Sequence, residues 1–135
     1  GWNLVGLPLW IDQSESGFIF PESVEGTLFS FDGVYNLETY LQNGSGYWLY
    51  FNDSGETEIT GEPIFEMVLT LSQGWNLISG PTTTIFVDEI IDSENIIIHN
   101  SIFGFEEVYF DAEHFEPGKG YWVKAMSNGE IILID

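Results

Sequence analysis

The chain has 135 residues, of which 44% are hydrophobic and 16% aromatic, so its length and composition predict one folded domain with a substantial core. Its 22 acidic residues stand against two basic ones, Lys119 and Lys124, which gives a formal net charge of −20 at pH 7. Such a charge repels phosphate backbones and anionic lipid headgroups, so it argues against binding to nucleic acid or to membrane surfaces. Solubility in a salty or extracellular medium explains the charge most simply, and cation binding is the alternative.

Enzyme chemistry and membrane insertion also lack support in the sequence. The chain has no Cys, no G-x-S-x-G or S-x-x-K motif and no phosphate-binding loop, so we predict that it is not an enzyme. No apolar run approaches the roughly 20 residues that a membrane-spanning helix needs, and no signal peptide is visible. Because the chain opens on Gly1 at the start of a repeat, we expect a module of a longer, processed protein.

Three blocks of the sequence occur twice. GWNLVGLP at 1–8 returns as GWNLISGP at 74–81, LFSFDGVY at 28–35 as IFGFEEVY at 102–109, and GSGYWLY at 44–50 as GKGYWVK at 118–124. The offset is 73 residues in the first block and 74 in the other two. We therefore predict a single domain, 1–135, made of repeat 1 at 1–73 and repeat 2 at 74–135, with pseudo-two-fold symmetry.

The repeats read as β-structure in chain order. Phe29 and Phe31 alternate, which places both on one face of a strand, and Asp32-Gly33 then predicts a hairpin turn. The same alternation recurs at 102–107, and Asn128-Gly129 predicts a further turn. One weak helix is predicted over 87–95 from apolar residues at helical spacing. The fold class is all-β, a sandwich or barrel of about eight to ten short strands.

The repeated motifs also resemble a known kind of module. The GWNL opening, the aromatic strand ending in Phe-Asp-Gly and the closing PGKGYWV resemble a repeat module of secreted and surface multidomain proteins in bacteria, notably of the Bacteroidetes type. Repeat 1 departs from the pattern, with QNGSGYW in place of PGKGYW. The resemblance covers nearly the whole chain, and it implies an extracellular, non-catalytic accessory domain without an agreed ligand.

The aromatic residues supply the candidate binding site. Trp2 and Trp75 correspond between the repeats, as do Trp48 and Trp122, and such duplication favours a packing role. Positions that differ between the repeats are stronger candidates for function, because packing does not force them. The ligand-binding candidates are Trp10, Tyr50, Trp48, Trp122, Tyr40 and Lys124. The alternative for Trp10 is a small core at the end of the sandwich, shared with Phe18 and Phe20.

Metal binding has weaker candidates. Asp53, Glu56 and Glu58 surround a predicted turn and could offer oxygen ligands to calcium, but they lack the spacing of a 12-residue calcium loop. A solvated acidic hairpin is the simpler interpretation. His99 lies in an apolar run, and His114 lies among acids on a predicted loop, which is a weak metal signal. No cofactor is expected, with calcium as the one candidate ion.

These observations predict an extracellular or cell-surface, non-catalytic module that binds carbohydrate or mediates adhesion. Exposed aromatic rings would stack on a neutral glycan, which suits the acidic surface. The alternative is a structural spacer or docking domain of a larger surface protein, without a ligand of its own. One version of this alternative has calcium stabilising the domain. The expected partners are a glycan or cell-surface component and other domains of the same polypeptide, with no nucleic acid and no membrane insertion.

Overall fold

The computed structural model describes all residues, 1–135, and shows an all-β chain with several antiparallel sheets, consistent with a β-sandwich. Four of the fourteen strands have only two residues, which leaves ten longer ones beside the eight to ten predicted. The strands are β1 (Trp2–Gly6), β2 (Leu9–Trp10), β3 (Phe29–Phe31), β4 (Tyr35–Leu37), β5 (Gly46–Tyr50), β6 (Glu62–Pro63), β7 (Glu66–Leu71), β8 (Gly74–Ser79), β9 (Ile85–Phe86), β10 (Ile97–Glu106), β11 (Val108–Asp111), β12 (His114–Phe115), β13 (Gly120–Ala125) and β14 (Gly129–Ile134). The helices are α1 (Ser16–Ile19) and a 3₁₀ turn (Val87–Glu89), and neither has the length or apolar character to cross a membrane.

Two four-stranded sheets form the centre of the fold. Their strand orders are β1-β5-β3-β4 and β8-β13-β10-β11, so each repeat builds a sheet from its own corresponding strands. The registers correspond as well: Trp2 lies opposite Tyr50 in one sheet, and Trp75 lies opposite Lys124 in the other. The exact pseudo-two-fold relation between the repeats stays a prediction, but strand order and register are the same in both.

Each repeat has its own hydrophobic core. The alternation of β5 directs Tyr47 and Leu49 inward, and that of β13 does the same for Tyr121 and Val123. The first core holds eight buried residues and the second holds fourteen. The difference comes partly from β7, whose Met67, Leu69 and Leu71 lie before the sequence boundary at 73 but pack into the second core. A third, small cluster of Leu4, Leu77 and Trp122 joins residues of both repeats.

Backbone contacts between the repeats come in matching pairs. The N–H of Gly6 donates to the carbonyl of Gly118 and the N–H of Ser79 donates to the carbonyl of Gly44, both at 3.0 Å. The approach at Gly6 is so close that a Cβ there would lie 2.1 Å from the Cβ of Ser79. Because Gly6 and Ser79 occupy corresponding positions, a side chain fits at only one of the two.

The predicted helix at 87–95 is wrong beyond its first turn. Residues 87–89 form a 3₁₀ turn, Ile90 is extended (φ −63°, ψ 131°), and Ile91 pairs with Ile132 in a β-bridge. The carboxylate of Asp92 accepts hydrogen bonds from the N–H groups of Ile96 and Ile97 at 2.9 Å each. Such local bonding of an Asp side chain to the backbone competes with a helix and stabilises a turn.

Candidate functional site

Strand alternation places aromatic side chains on the face of each central sheet that points away from its core. In β5, Trp48 and Tyr50 point opposite to the buried Tyr47 and Leu49. The register then puts Trp2 of β1 beside Tyr50, and it puts Phe29 of β3 beside Trp48. The outward side of this sheet is therefore built of rings drawn from three neighbouring strands.

The first repeat arranges these rings around Trp2. The ring centroid of Trp2 lies 6.1 Å from that of Phe29, 6.4 Å from that of Trp48 and 5.3 Å from that of Tyr50. The contacts with Trp48 and Tyr50 are edge-to-face, at interplanar angles of 84° and 77°. This geometry is favourable for aromatic pairs and leaves part of the Trp2 ring free, so that 44% of the residue is exposed.

The second repeat repeats the arrangement around Trp75. Its ring centroid lies 6.0 Å from that of Phe103 and 6.3 Å from that of Trp122. Lys124 stands in the place of Tyr50, and its ammonium lies 5.6 Å from the centroid of the Trp75 ring. A cation–π contact therefore replaces the aromatic contact of the first repeat. Trp75 is 41% exposed, which nearly matches Trp2.

Edge-to-face pairs join the two halves across the repeats. Phe31 contacts Trp122, and Trp48 contacts Phe105, each with centroids 5.0 Å apart and an interplanar angle of 78°. We call the continuous surface the aromatic face. Its residues are Trp2, Phe29, Phe31, Tyr35, Trp48, Tyr50, Trp75, Phe103, Phe105, Tyr109, Trp122 and Lys124.

Two hollows open on the aromatic face. The larger has a volume of about 450 Å³ and is lined by six aromatic residues, Phe31, Tyr35, Trp75, Phe103, Tyr109 and Trp122. The smaller has a volume of about 360 Å³ and is lined by Trp2, Phe29, Tyr35 and Trp48. Tyr35 belongs to both linings and is mostly exposed, so the two hollows adjoin at its ring.

The hollows are lined by aromatic side chains alone. Their linings contain no carboxylate, imidazole or amide, and the polar atoms there are the Tyr hydroxyls and the Trp N–H groups. The Nε1–H of Trp122 is buried and has no oxygen or nitrogen acceptor in the protein. The aromatic face therefore offers ring surfaces for stacking and few polar partners.

The structure brings together four of the six predicted ligand-binding residues. Trp48, Trp122, Tyr50 and Lys124 all lie on the aromatic face.

Trp10 and Tyr40 lie elsewhere. Trp10 is 59% exposed on β2, opposite Glu62, and Tyr40 is exposed in a β-bridge with Glu15. The small end core proposed for Trp10 also does not form, because Trp10 and Phe18 are both mostly exposed. Only Phe20 is buried there, packed edge-to-face against Phe51.

Trp2 and Trp75, which also lie on the aromatic face, were not among the ligand-binding candidates from the sequence, because their duplication favoured a packing role. The candidates also did not include Phe29, Phe31 and Phe103, whose rings line the two hollows. The available signal was alternation: the outward positions of the strands are largely aromatic in both repeats, whereas the inward positions are mostly aliphatic. Duplication here preserves a surface whose rings pack against one another and remain partly exposed.

The calcium candidates are not assembled into a site. Asp53, Glu56 and Glu58 are exposed in an irregular segment, and no group of three or more His, Cys, Asp or Glu side chains converges anywhere in residues 1–135. The exposed, unpaired arrangement of these three residues agrees with the simpler interpretation of a solvated acidic segment.

His114 belongs to a surface ion-pair network. Its Nε2 lies 3.4 Å from a carboxylate oxygen of Glu116, whose other oxygen is 2.7 Å from the ammonium of Lys119. Lys119 also contacts Glu106 at 2.9 Å. The hydrogen bond from Lys119 lowers the pKa of Glu116, and the same bond raises the pKa of Lys119. These contacts hold the PGKG turn and contribute no metal ligands.

No protein-family description, no curated protein and no solved structure matches the chain. The resemblance to bacterial surface modules therefore stays a prediction, and function has to be argued from the aromatic face itself.

Proposed function

We propose that this protein is a non-catalytic binding module that holds a neutral glycan against its aromatic face. The observation that carries the proposal is the pair of adjoining hollows, floored by rings from both repeats and flanked by the part-exposed Trp2 and Trp75. Aromatic rings offer rigid apolar platforms that lose little conformational entropy on binding. The C–H faces of pyranose rings stack on such platforms.

The charge of the protein selects the class of glycan. With a net charge of −20 and two lysines, the protein repels anionic polysaccharides. Lys124 is the one cation on the aromatic face, and it is engaged with the Trp75 ring. A neutral glycan meets neither repulsion nor a need for counter-ions. The extracellular or cell-surface location is part of the proposal and is supported by the acidic composition and the repeat motifs.

The correspondence between the repeats adds a detail to the proposal. The contacts of Trp2 with Phe29 and Trp48 match those of Trp75 with Phe103 and Trp122 to within about 0.1 Å in centroid distance. We therefore infer a pseudo-two-fold pair of subsites, each able to stack a sugar ring. Tyr50 and Lys124 mark the difference between the two.

A second candidate is docking of another protein domain, as in a structural spacer. The aromatic linings favour it, because a glycan presents many hydroxyls and the hollows offer few polar partners. Exposed apolar surfaces of this kind are also typical of protein–protein contacts. Under this reading the module contributes adhesion or assembly and has no sugar ligand.

The experiment is a titration of soluble neutral polysaccharides and oligosaccharides by calorimetry, preceded by a glycan array with and without calcium. Trp75→Ala should weaken binding about 5- to 150-fold, if stacking of a sugar ring resembles that of a nucleic-acid base on an aromatic side chain, which is worth about 1–3 kcal/mol. Trp10→Ala is the matched control, because it removes an exposed Trp outside the aromatic face. An array without a neutral-glycan signal would exclude the glycan proposal and favour docking.

A further inference from the structure

The second repeat contains a strand pair that closes one side of its core. β7 pairs with β14 in antiparallel register over six residues, from Glu66 opposite Ile134 to Leu71 opposite Gly129. The inward side chains of this pair, Met67, Leu69, Leu71, Ile131 and Leu133, are all buried in the second core. β7 reaches β8 through a turn of two residues, 72–73.

The first repeat has a segment that corresponds in sequence to β14, but no strand is paired with that segment. At the offset of 74, residues 55–60 (GETEIT) correspond to 129–134. They form no strand, and the backbone groups of 54–60 make no hydrogen bond with other backbone groups. A row of free N–H and C=O groups of this length is a template for strand pairing.

The first core is less complete on the same side. Ile59 corresponds to the fully buried Leu133, yet it is only partly buried against the first core. Thr57 corresponds to the fully buried Ile131, yet it is exposed. The eight-residue core of the first repeat, beside fourteen in the second, lacks the cover that β7 and β14 supply.

The side chain of Asn3 gives a second, independent indication that the first repeat lacks a strand and turn ahead of β1. Its counterpart Asn76 binds the turn that joins β7 to β8: the amide nitrogen donates to the carbonyl of Ser72, and the amide oxygen accepts from the N–H of Ser72, both at 2.9 Å. Both Asn side chains also donate to the glycine two residues before them, Gly1 or Gly74, at 3.1 Å. Asn3 is exposed and makes only that bond, so its amide oxygen and second N–H are free for a turn residue ahead of Gly1.

We propose that residues 55–60 are the docking site of an added β-strand. The occupant is an extended segment of six residues, joined ahead of β1 by a two-residue turn as β7 is joined ahead of β8. Gly1 lies beside Phe51, four residues before the acceptor segment, since the N–H of Phe51 donates to the Gly1 carbonyl at 3.0 Å. Such strand addition gains affinity from main-chain hydrogen bonds and specificity from alternate side chains.

The register of β7 and β14 defines the chemistry of the added strand. Its inward positions must be apolar, as Met67, Leu69 and Leu71 are, to cover the side of the core at Ile59. Its outward positions lie opposite Glu56 and Glu58, because their counterparts Glu130 and Ile132 lie opposite Thr70 and Val68. Lys at those two outward positions is therefore favoured over an acidic residue. This site is separate from the aromatic face and does not depend on glycan binding.

The test supplies the strand in the way the second repeat does. A copy of residues 66–73 is joined ahead of Gly1, and amide hydrogen exchange is followed at 55–60. We expect exchange there to slow at least tenfold and the melting temperature to rise by several degrees. A version with Lys at the two outward positions should slow exchange further at low salt and lose that extra effect at high salt.

The matched control carries the same eight added residues with its three inward apolar residues changed to Ser, and it should leave exchange at 55–60 unchanged. Unchanged exchange with the apolar segment, while the β14 amides stay protected, would overturn the proposal. Protection by an unattached peptide but not by the joined segment would overturn the assignment to a strand ahead of β1. Protection that disappears on dilution would do the same, since it would show pairing between molecules.

Discussion

Trp48 of the first repeat meets Phe105 of the second edge to face, with ring centroids 5.0 Å apart. The corresponding residues, Trp122 and Phe31, repeat the contact with the roles of the repeats exchanged and with the same distance and angle. The aromatic face thus binds its own two halves together as well as presenting rings to solvent. Stability and the proposed glycan binding therefore involve overlapping sets of residues.

A double-mutant cycle should measure this contact. Trp48→Leu combined with Phe105→Leu should show a coupling energy of about 0.5–1.5 kcal/mol in urea unfolding, the range for aromatic pairs beyond their area burial. The cycle of Phe31→Leu with Trp122→Leu should give a similar value. Trp48→Leu with Trp10→Leu is the control, because Trp10 has no ring contact with the face. Additive effects in both contact cycles would contradict the pairing.

The close approach of Gly6 to Ser79 gives a second prediction. Gly6→Ser alone should destabilise the protein by about 1–3 kcal/mol or more, since its Cβ would lie 2.1 Å from the Cβ of Ser79. Adding Ser79→Gly should recover most of that loss. In the native protein the Ser79 hydroxyl donates to the carbonyl of Ser45 at 2.8 Å, and the corresponding carbonyl of Lys119 lies 3.5 Å from a Cβ built at Gly6. The exchanged Ser therefore has an equivalent acceptor.

Thermal unfolding of the two single variants and of the exchanged pair measures this effect. Gly17→Ala serves as a control, because a Cβ there meets nothing within 4 Å. If the exchanged pair were no more stable than Gly6→Ser, the result would contradict the claim that positions 6 and 79 have equivalent surroundings.

Most of what the sequence predicted about the fold came from comparing the two repeats. Block identities fixed corresponding strands, and the alternation of Phe29 with Phe31 correctly placed both on one face of β3. What sequence could not predict was the pairing between distant segments. Strand β7 joins the second core because its partner is β14, some 60 residues later, and local pattern carries no information about that choice.

The candidate site was predictable in part for a related reason. Trp48 and Tyr50 alternate on β5, as Trp122 and Lys124 do on β13, so alternation alone predicts that each pair shares one side of its strand. Trp2 and Trp75 join them only through the register of β1 with β5 and of β8 with β13. Trp10 was expected with them but lies on β2, whose two residues pair with β6 outside the central sheets.

The Glu116–Lys119 pair predicts a response to acid. Because Lys119 lowers the pKa of Glu116, the ionised carboxylate is favoured in the folded state. The pair's stabilisation is therefore present above the ordinary value of 4.5 and is lost as the pH falls through the lower pKa of the folded state. Glu116→Gln should reduce stability at pH 7 and have less effect near pH 3. The two side chains are 43% and 45% exposed, so the effect should stay below about 1 kcal/mol and shrink with salt.

Urea unfolding at pH 7 and pH 3, with and without added salt, measures the effect. Glu25→Gln is the matched control, since Glu25 is an exposed carboxylate without an ion pair. An effect of Glu116→Gln that is the same at both pH values would contradict the role of the charge.

Two buried tyrosines predict the response to alkali. The hydroxyl oxygen of Tyr47 accepts from the N–H of Gln42 at 2.8 Å, and that of Tyr121 accepts from the N–H of Glu116 at 2.9 Å. Burial raises the pKa of both tyrosines above the ordinary 10.0. Each group's contribution is complete below pH 10.0 and declines as the pH rises towards the higher pKa of the folded state, because the unfolded chain loses the proton first.

Tyr121→Phe should therefore have two effects of opposite kind. It leaves the N–H of Glu116 without its acceptor, which should cost about 1–3 kcal/mol at pH 7. It also removes one ionisation, so the loss of stability above pH 10 should be shallower by up to about 1.4 kcal/mol per pH unit. Tyr47→Phe should behave in the same way, whereas Tyr40→Phe, at an exposed residue without a hydrogen bond to its hydroxyl, should leave the stability at pH 7 unchanged. An unchanged slope above pH 10 in both buried variants would show that other groups, and not these two tyrosines, set the alkaline limit of the fold.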